Sequence, residues 1–306
     1  MKLACQLRTL PLILAAALAA PAFAASGQPV EPVMAQARKH KAPLLDTLKS
    51  LCNIESGSRD LEGLDKVGAL VAERLKALGG EVQMVDVNND IYRMEDTPEK
   101  VGRVVQATFK GSGSKKIMML AHMDTVYLKG MLEKQPFRID GDKAYGLAIA
   151  DDKQGIATIL HTVAMLQELG FRDYGTLTVL INADEEISSP GSRKLIAKLG
   201  AEHDVTMSFE SSRANSDKLS LATAGIGAVS LKVTGRASHA GSAPEKGVNA
   251  LYEMAHQVTQ MSQLSNPSTG VKMNWTLASA GTNRNVIPAD AQAQADVRVL
   301  RAADYD

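Results

Sequence analysis

Acidic side chains and one histidine follow successive apolar runs of this chain, and this pattern constrains the fold more than any other feature. Residues 117–121 are apolar throughout and residues 177–181 are apolar except for Thr178, as expected of strands covered on both faces of a largely parallel sheet. His122 follows the first run directly, and the acidic loop 184–186 comes shortly after the second. Because open α/β sheets gather functional groups beyond the carboxyl ends of their strands, we expect these side chains to lie close together.

The segments around these runs predict an α/β domain. Apolar residues recur at helical spacing over residues 64–78 and stop at Gly79, and a second helical stripe covers residues 156–166 between the two apolar runs. A third strand-like stretch, residues 205–209, ends at Glu210. The order strand, loop, helix, strand is typical of a mostly parallel sheet.

The pattern changes to a period of two near residue 220. Residues 229–234 and 293–299 alternate between apolar and polar, which predicts strands with one solvated face. An amphipathic helix over 251–261 and a strand near 273–279 lie between them. This order predicts a ferredoxin-like, split βαβ module that lacks its last helix and strand.

The N-terminus reads as a signal peptide. Lys2 and Arg8 precede an apolar run over 10–20 that is too short to span a bilayer, and residues 22–24 give a small-x-small cleavage pattern. The alternative is a buried N-terminal helix. The expected organisation is therefore a signal peptide over 1–25, a catalytic domain over 26–220 and a smaller domain over 221–306, in a periplasmic or secreted protein.

Charge and cysteine content narrow the class of partner. The 306 residues contain 34 Lys plus Arg and 34 Asp plus Glu, so no overall field attracts nucleic acid or an anionic membrane, and we expect neither as a partner. Cleavage of the signal would leave Cys52 as the one cysteine, which predicts a packing residue and no internal disulfide. His40 and His161 lie off the apolar stripes of helices and are expected to be solvated.

His122 and Asp124 are two residues apart, so on an extended backbone their side chains point the same way. A carboxylate at 124 can accept the second imidazole N–H of a metal-bound His122. The alternative is an ordinary surface or turn triplet. Asp151 precedes a predicted helix, where the alternative is a simple N-cap, although the neighbouring Asp152 makes a double acid that capping does not require.

One nitrogen and several carboxylates suit zinc, whereas a calcium site does not favour the histidine. A carboxylate shared by two ions is a common device of two-metal hydrolases. Glu185 and Glu186 are adjacent, so one can bind metal while the other takes a proton from water.

From about residue 28 to its end, the chain resembles the co-catalytic zinc carboxypeptidases and aminoacylases, in particular the exported glutamate carboxypeptidases of carboxypeptidase G type. The resemblance rests on motifs that occur in the family's order and spacing. They are His122-Met123-Asp124-Thr125-Val126, Ile149-Ala150-Asp151-Asp152-Lys153, Asp184-Glu185-Glu186, Ser208-Phe209-Glu210, Ala237-Ser238-His239-Ala240-Gly241 and Asn285-Val286-Ile287-Pro288-Ala289.

The resemblance implies a role for each motif residue. One zinc ion is implied at His122, Asp151 and Glu210, and a second at Asp151, which bridges, and Glu186. Glu185 is implied as general base, Asp124 as the residue that orients His122, and the bond after Asp151 as a cis peptide. The smaller domain is implied to form a homodimer and to bring His239 to the partner's active site, where it stabilises the oxyanion. The residues implied to bind the substrate carboxylate are Lys218, Asn285 and Arg298.

The chain also departs from the family pattern. The family's last zinc ligand is a histidine in a C-terminal segment that this sequence lacks, so we expect a weaker second metal site in a C-terminally truncated member. Ala148 and Gln154 stand where the family usually has glycine.

The predicted function is zinc-dependent release of a C-terminal glutamate, or a similar acidic residue, from a small acidic peptide, an N-acyl amino acid or a folate-type substrate. Two alternatives stay open at this point. One is a truncated member with weak or no catalysis, and the other is an aminoacylase or dipeptidase of the same family.

Overall fold

A computed structural model describes residues 30–94, 96–211, 219–266 and 268–304. The chain divides into two compact units, one within residues 1–211 and one within 212–306. The signal peptide expected over 1–25 lies outside the described residues, and the domain boundary expected after residue 220 stays a prediction. Among the described helices, none has the length and apolar character needed to cross a bilayer.

The first unit is built on a five-stranded sheet with the order β1-β2-β6-β3-β7. β3 pairs in parallel with both β6 and β7, while β2 runs antiparallel to β6 and to β1. Four of the five strands therefore share one direction, which confirms the α/β, mostly parallel expectation. The strands of this unit are β1 (Glu81–Val85), β2 (Val104–Lys110), β3 (Lys116–His122), β4 (Arg138–Asp140), β5 (Lys143–Tyr145), β6 (Thr176–Asn182) and β7 (Val205–Ser208).

Helices cover this sheet on both faces. Neighbouring strand residues point to opposite sides, so Met119 joins the large core formed with α1, α2 and α3, while Met118 joins a smaller core beside α4. This double coverage explains why the central strands β3 and β6 are mostly apolar. The helices are α1 (Glu31–Cys52), α2 (Leu61–Ala77), α3 (Gln154–Glu168) and α4 (Arg193–Glu202).

Helix α2 shows how the local sequence sets an element. The Asp60 side chain accepts a hydrogen bond from Gly63 N and caps the helix start, and Gly79 follows the helix at a φ of 77°. Its apolar stripe is fully buried against the sheet, as the periodicity predicts. The buried members are Leu64, Val67, Val71 and Leu75.

The second unit contains the predicted split βαβ order. A three-stranded antiparallel sheet has the order β10-β12-β8, and helix α5 packs on one face against Ala291 and Ala293. The elements are β8 (Gly225–Thr234), β9 (Ser238–His239), α5 (Ala250–Met261), β10 (Lys272–Ala280), β11 (Val286–Ile287) and β12 (Asp290–Val299).

The structure tests two predictions about single side chains, one of Cys52 and one of His40. Cys52 ends α1 as a buried free thiol, as expected of a packing residue. His40, expected to be solvated, is buried: its Nδ1 lies 2.9 Å from the Nδ1 of His161 and its Nε2 lies 3.1 Å from Glu168 Oε1. Hydrophobic periodicity could not predict this burial. A polar side chain can be buried when it forms hydrogen bonds, and here His40 on α1 pairs with His161 on α3.

Ala148 adopts a left-handed backbone conformation, with φ 54° and ψ 29°. A side chain in that region costs about 1–2 kcal/mol, so we expect Ala148→Gly to leave the free energy of unfolding unchanged or to raise it. Ala157→Gly, at an equally buried position inside α3, should lower it by about 1 kcal/mol. Urea denaturation of both variants measures the difference, and equal losses would contradict the strain argument.

Candidate metal centre

Three neighbouring strands deliver the predicted ligands to one edge of the sheet. His122 is the last residue of β3, a short turn over Glu185–Ile187 follows β6, and Glu210 comes shortly after β7. Since β3 lies between β6 and β7 in the sheet, His122 stands between the two groups of acids. The parallel pairing of these strands is what brings their carboxyl ends together.

Asp151 reaches the same place from the segment Ile149–Lys153, which leads into α3. The peptide bond between Asp151 and Asp152 is cis, as the resemblance implies. The two carboxylates differ in environment, because the Asp151 side chain is 58% exposed whereas Asp152 is fully buried.

Distances from the imidazole define the cluster. His122 Nε2 lies 3.0 Å from Asp151 Oδ1, 3.7 Å from Glu210 Oε1 and 3.9 Å from Glu185 Oε2. Within the described residues, two sets of donor atoms lie within 4.8 Å of one another and could hold a metal ion. The sets are His122, Asp151 and Glu186, and His122, Asp152 and Glu210.

The electrostatics of the cluster suit a divalent cation. Burial raises the pKa of Glu186 to about 7, helped by the charge of Asp151, and burial raises the pKa of Asp152 to about 8. Burial alone lowers the pKa of His122, but hydrogen bonds to Asp124 and Glu210 outweigh it and raise this pKa to about 12. Crowded carboxylates repel one another, and a bound cation would relieve that repulsion. The donor set of one imidazole with several carboxylates therefore fits zinc.

Asp124 contacts both His122 and the backbone of the acidic turn that follows β6. His122 Nδ1 lies 3.4 Å from Asp124 Oδ1 and 3.0 Å from the Asp124 carbonyl oxygen. The same carboxylate accepts hydrogen bonds from Glu185 N at 2.9 Å and from Glu186 N at 3.1 Å. Asp124 is fully buried, so one carboxylate fixes both the imidazole and the acidic turn.

Ser58 contributes a contact that sequence reasoning missed. It lies between α1 and α2, and its buried hydroxyl donates to Asp124 Oδ2 at 2.8 Å. No local pattern marks this serine, because the contact joins residues that are far apart in the chain. To predict this contact, one would have to know that residues 57 and 125 form a β-bridge.

The acidic loop does not act as one group. Asp184 turns away from the cluster, where its Oδ2 accepts from Gly191 N at 2.7 Å and from Ser192 N at 3.0 Å. Full burial and these donors identify Asp184 as the residue that fixes the shape of the loop. Glu185 and Glu186 remain the two acids that face His122.

The second unit holds other predicted site residues. β9 and β11 pair His239 with Val286, and Ala240 N donates to Asn285 O, so His239 and Asn285 come together. His239 Nδ1 accepts from Gly241 N and Ser242 N, both at 3.1 Å, which leaves the proton of the neutral ring on Nε2. Arg298 Nε donates to Asp296 on β12 at 2.9 Å, and Lys218 lies outside the described residues.

Removal of the Ser58 hydroxyl should loosen Asp124 and therefore the imidazole. We expect Ser58→Ala to weaken zinc affinity about tenfold, since residues that support metal ligands typically contribute that much. Ser58→Thr, which keeps the hydroxyl, and Ser50→Ala, at a partly buried serine of α1 whose hydroxyl donates to Asp46 O, should bind as the unchanged protein does. Competition with a chromophoric chelator measures the affinities, and an unchanged value for Ser58→Ala would contradict the support role.

Zinc binding should release protons, because a ligand imidazole is neutral while the metal-free His122 is protonated at neutral pH. Because zinc displaces the proton of His122, zinc affinity should rise about tenfold per pH unit below the His122 pKa of about 12. Zinc also displaces the proton of Glu186, which makes the rise steeper below about pH 7. Calorimetry in buffers of different ionisation enthalpy counts the protons released. Affinity that does not change between pH 6 and 8 would contradict this coupling.

Comparisons with known proteins agree with this geometry. Residues 221–306 match a model of the peptidase dimerisation domain, and residues 104–243 match a model of peptidase family M28. The chain is 45% identical over 295 residues to carboxypeptidase G2 of Pseudomonas sp. strain RS-16, covering 95% of this chain and 69% of that protein. It is 29% identical over 256 residues to acetylornithine deacetylase of Proteus mirabilis, covering 76% of this chain and 59% of that relative.

Solved structures share the fold. A metallo-carboxypeptidase of the M20 family, Sso-CP2 from Sulfolobus solfataricus, aligns with a TM-score of 0.66 at 16% identity over 84% of this chain and 71% of its own. The aminopeptidase PepT of Bacillus cereus aligns with a TM-score of 0.65 at 22% identity over 85% of this chain and 67% of its own. Extensive identity to carboxypeptidase G2, the dimerisation-domain match and the converging ligands lead to one conclusion: the chain belongs to the M20 family of metallopeptidases, which are hydrolases.

Proposed function

We propose that this protein is a zinc-dependent hydrolase that releases a C-terminal glutamate, or a similar acidic amino acid, from peptide, N-acyl or folate-type substrates. The observation that carries the proposal is the convergence of His122, Asp151, Glu185, Glu186 and Glu210 at one edge of the sheet. The 45% identity to a carboxypeptidase supports the reaction class. Because the chain spans about two thirds of that relative, the activity of the whole protein is part of the proposal.

Metal binding is assigned to the converging side chains. His122, Asp151 and Glu210 would hold one zinc ion, and Asp151 and Glu186 would hold a second. Zinc, when bound, supplies positive charge that polarises a carbonyl and lowers the pKa of a water molecule.

Glu185 is assigned as general base. Its carboxylate is half-buried, and burial, together with the charge of Glu210, raises its pKa, while the charge of His122 opposes the shift. Its backbone N–H donates to Asp124, so its position is tied to that of His122. Glu185 takes a proton from the attacking water and returns the proton to the leaving amine.

The second unit supplies the groups that recognise charge. With Nδ1 occupied by two backbone donors, His239 can donate from Nε2 to the oxyanion that develops in the active site of the partner subunit. Asn285, Arg298 and Lys218 bind the substrate carboxylate, a role that suits their donors. We assign this unit to homodimer formation, which the dimerisation-domain match supports.

A cleft of about 500 Å³ in the first unit is assigned to the acyl side of the substrate. It borders Glu186, and its wall includes the exposed apolar side chains of Val126 and Leu128. Exposed apolar surface beside polar catalytic groups is typical of a ligand site. An aminoacylase activity would use the same cleft, and the acetylornithine deacetylase relative keeps that second function open.

Export completes the proposal. The charged N-terminus, the short apolar run and the small-residue cleavage pattern support a protein that acts in the periplasm or outside the cell.

Glu185→Gln should abolish hydrolysis and leave the metal in place. Loss of a general base typically costs about 10²–10⁴-fold in rate, and the amide cannot accept the proton. Glutamate release from an N-acylglutamate and zinc content by mass spectrometry are measured on the same preparation. Glu73→Gln, at an exposed site on α2, is the matched control and should keep full activity.

Retention of more than a tenth of the activity by Glu185→Gln would remove Glu185 as the base. Loss of zinc together with activity would instead make Glu185 a ligand.

A further inference from the structure

Gln154 connects two parts of the metal centre that lie far apart in the chain. It is the first residue of α3, and its Nε2 donates to Asp152 Oδ1 at 3.2 Å and to the carbonyl oxygen of Phe209 at 3.0 Å. Phe209 directly precedes Glu210. One side-chain amide therefore joins the start of the helix to the backbone that carries a proposed zinc ligand.

Phe209 follows a short strand and packs against the main core. β7 is only four residues long, lies at the edge of the sheet and is exposed throughout. Beyond its last residue, Phe209 N donates to Leu120 O at 2.8 Å, which ties one side of the peptide to β3. Gln154 binds the opposite polar group of Phe209, so this residue is held from two different elements.

The start of α3 lies very close to Phe209. A Cβ at Gly155 would come within 2.3 Å of both Phe209 O and Asp152 Oδ1, so only glycine fits there. The amide of Gln154 bridges the same two acceptors from the adjacent position. This tight packing leaves the amide in a fixed geometry.

Both acceptors of Gln154 lead to the second group of neighbouring donor atoms described above, that of His122, Asp152 and Glu210. Asp152 Oδ2 accepts from His122 N at 3.3 Å, and Glu210 Oε1 lies 3.7 Å from His122 Nε2. We propose that Gln154 is a positioning residue that holds Glu210 and Asp152 relative to His122 and thereby raises metal affinity. The inference rests on the proposed function in that it takes His122 and Glu210 as metal ligands.

Zinc affinity of the full chain, measured by competition with a chromophoric chelator, tests the proposal. Gln154→Ala removes the amide, and Gln154→Asn keeps an amide that is one methylene too short to reach both acceptors. We expect both variants to bind zinc about tenfold more weakly, as is typical for residues that support ligands. The absorption spectrum of the Co²⁺-substituted protein should also change, because it reports ligand geometry and not folding.

Gln167→Ala provides a matched control. Gln167 lies on the same helix, and its amide also donates to a backbone carbonyl, that of Leu78, on α2 rather than at the metal centre. Its removal should leave zinc affinity and the cobalt spectrum unchanged.

The inference is wrong if Gln154→Ala and Gln154→Asn bind zinc within twofold of the unchanged protein. It is also wrong if Gln167→Ala loses as much zinc affinity as they do, or if the unchanged protein binds no zinc. The proposed function is tested separately. Weaker zinc binding in the Gln154 variants of a protein without amide hydrolysis would uphold the inference and reject the function, whereas hydrolysis with unchanged affinities would do the reverse.

Discussion

The site depends on the contacts that the buried carboxylate of Asp124 makes with three separate segments. It contacts His122 on β3, the backbone of the acidic turn after β6 and the hydroxyl of Ser58 between α1 and α2. A buried charge is stable only when such partners surround it, so the segments cannot shift independently without leaving it unsatisfied. The stability of the fold and the geometry of the ligands are therefore linked through one side chain.

The sheet supplies the frame for this contact. Because β3, β6 and β7 run in parallel, residues that are distant in sequence meet at one edge, and helices on both faces keep these strands in register. Within this frame burial raises the pKa values of Glu186 and Asp152, and repulsion between the crowded carboxylates adds a smaller contribution. The protein thus holds negative charge together by packing, and that charge favours a cation.

Much of this arrangement could be predicted from the sequence, because apolar runs and helical stripes report burial directly. The runs around 117–121 and 177–181 predicted β3 and β6, and the period-two segments predicted β8 and β12. The contacts of Ser58 and Gln154 could not be predicted, since a single polar residue has no periodicity and its partner is decided by tertiary packing. The same reason explains the burial of His40 and the separate role of Asp184, whose local sequence looks like a solvated loop.

The edge position of β7 has a consequence for how the centre responds to its surroundings. Among the described strands none pairs with its outer side, where backbone donors and acceptors can pair with another extended segment. Any segment that lies along this strand would add rigidity to the short stretch leading into Glu210. Such a segment would then affect cation binding, and cation binding would affect the segment, through the peptide groups between β7 and Glu210.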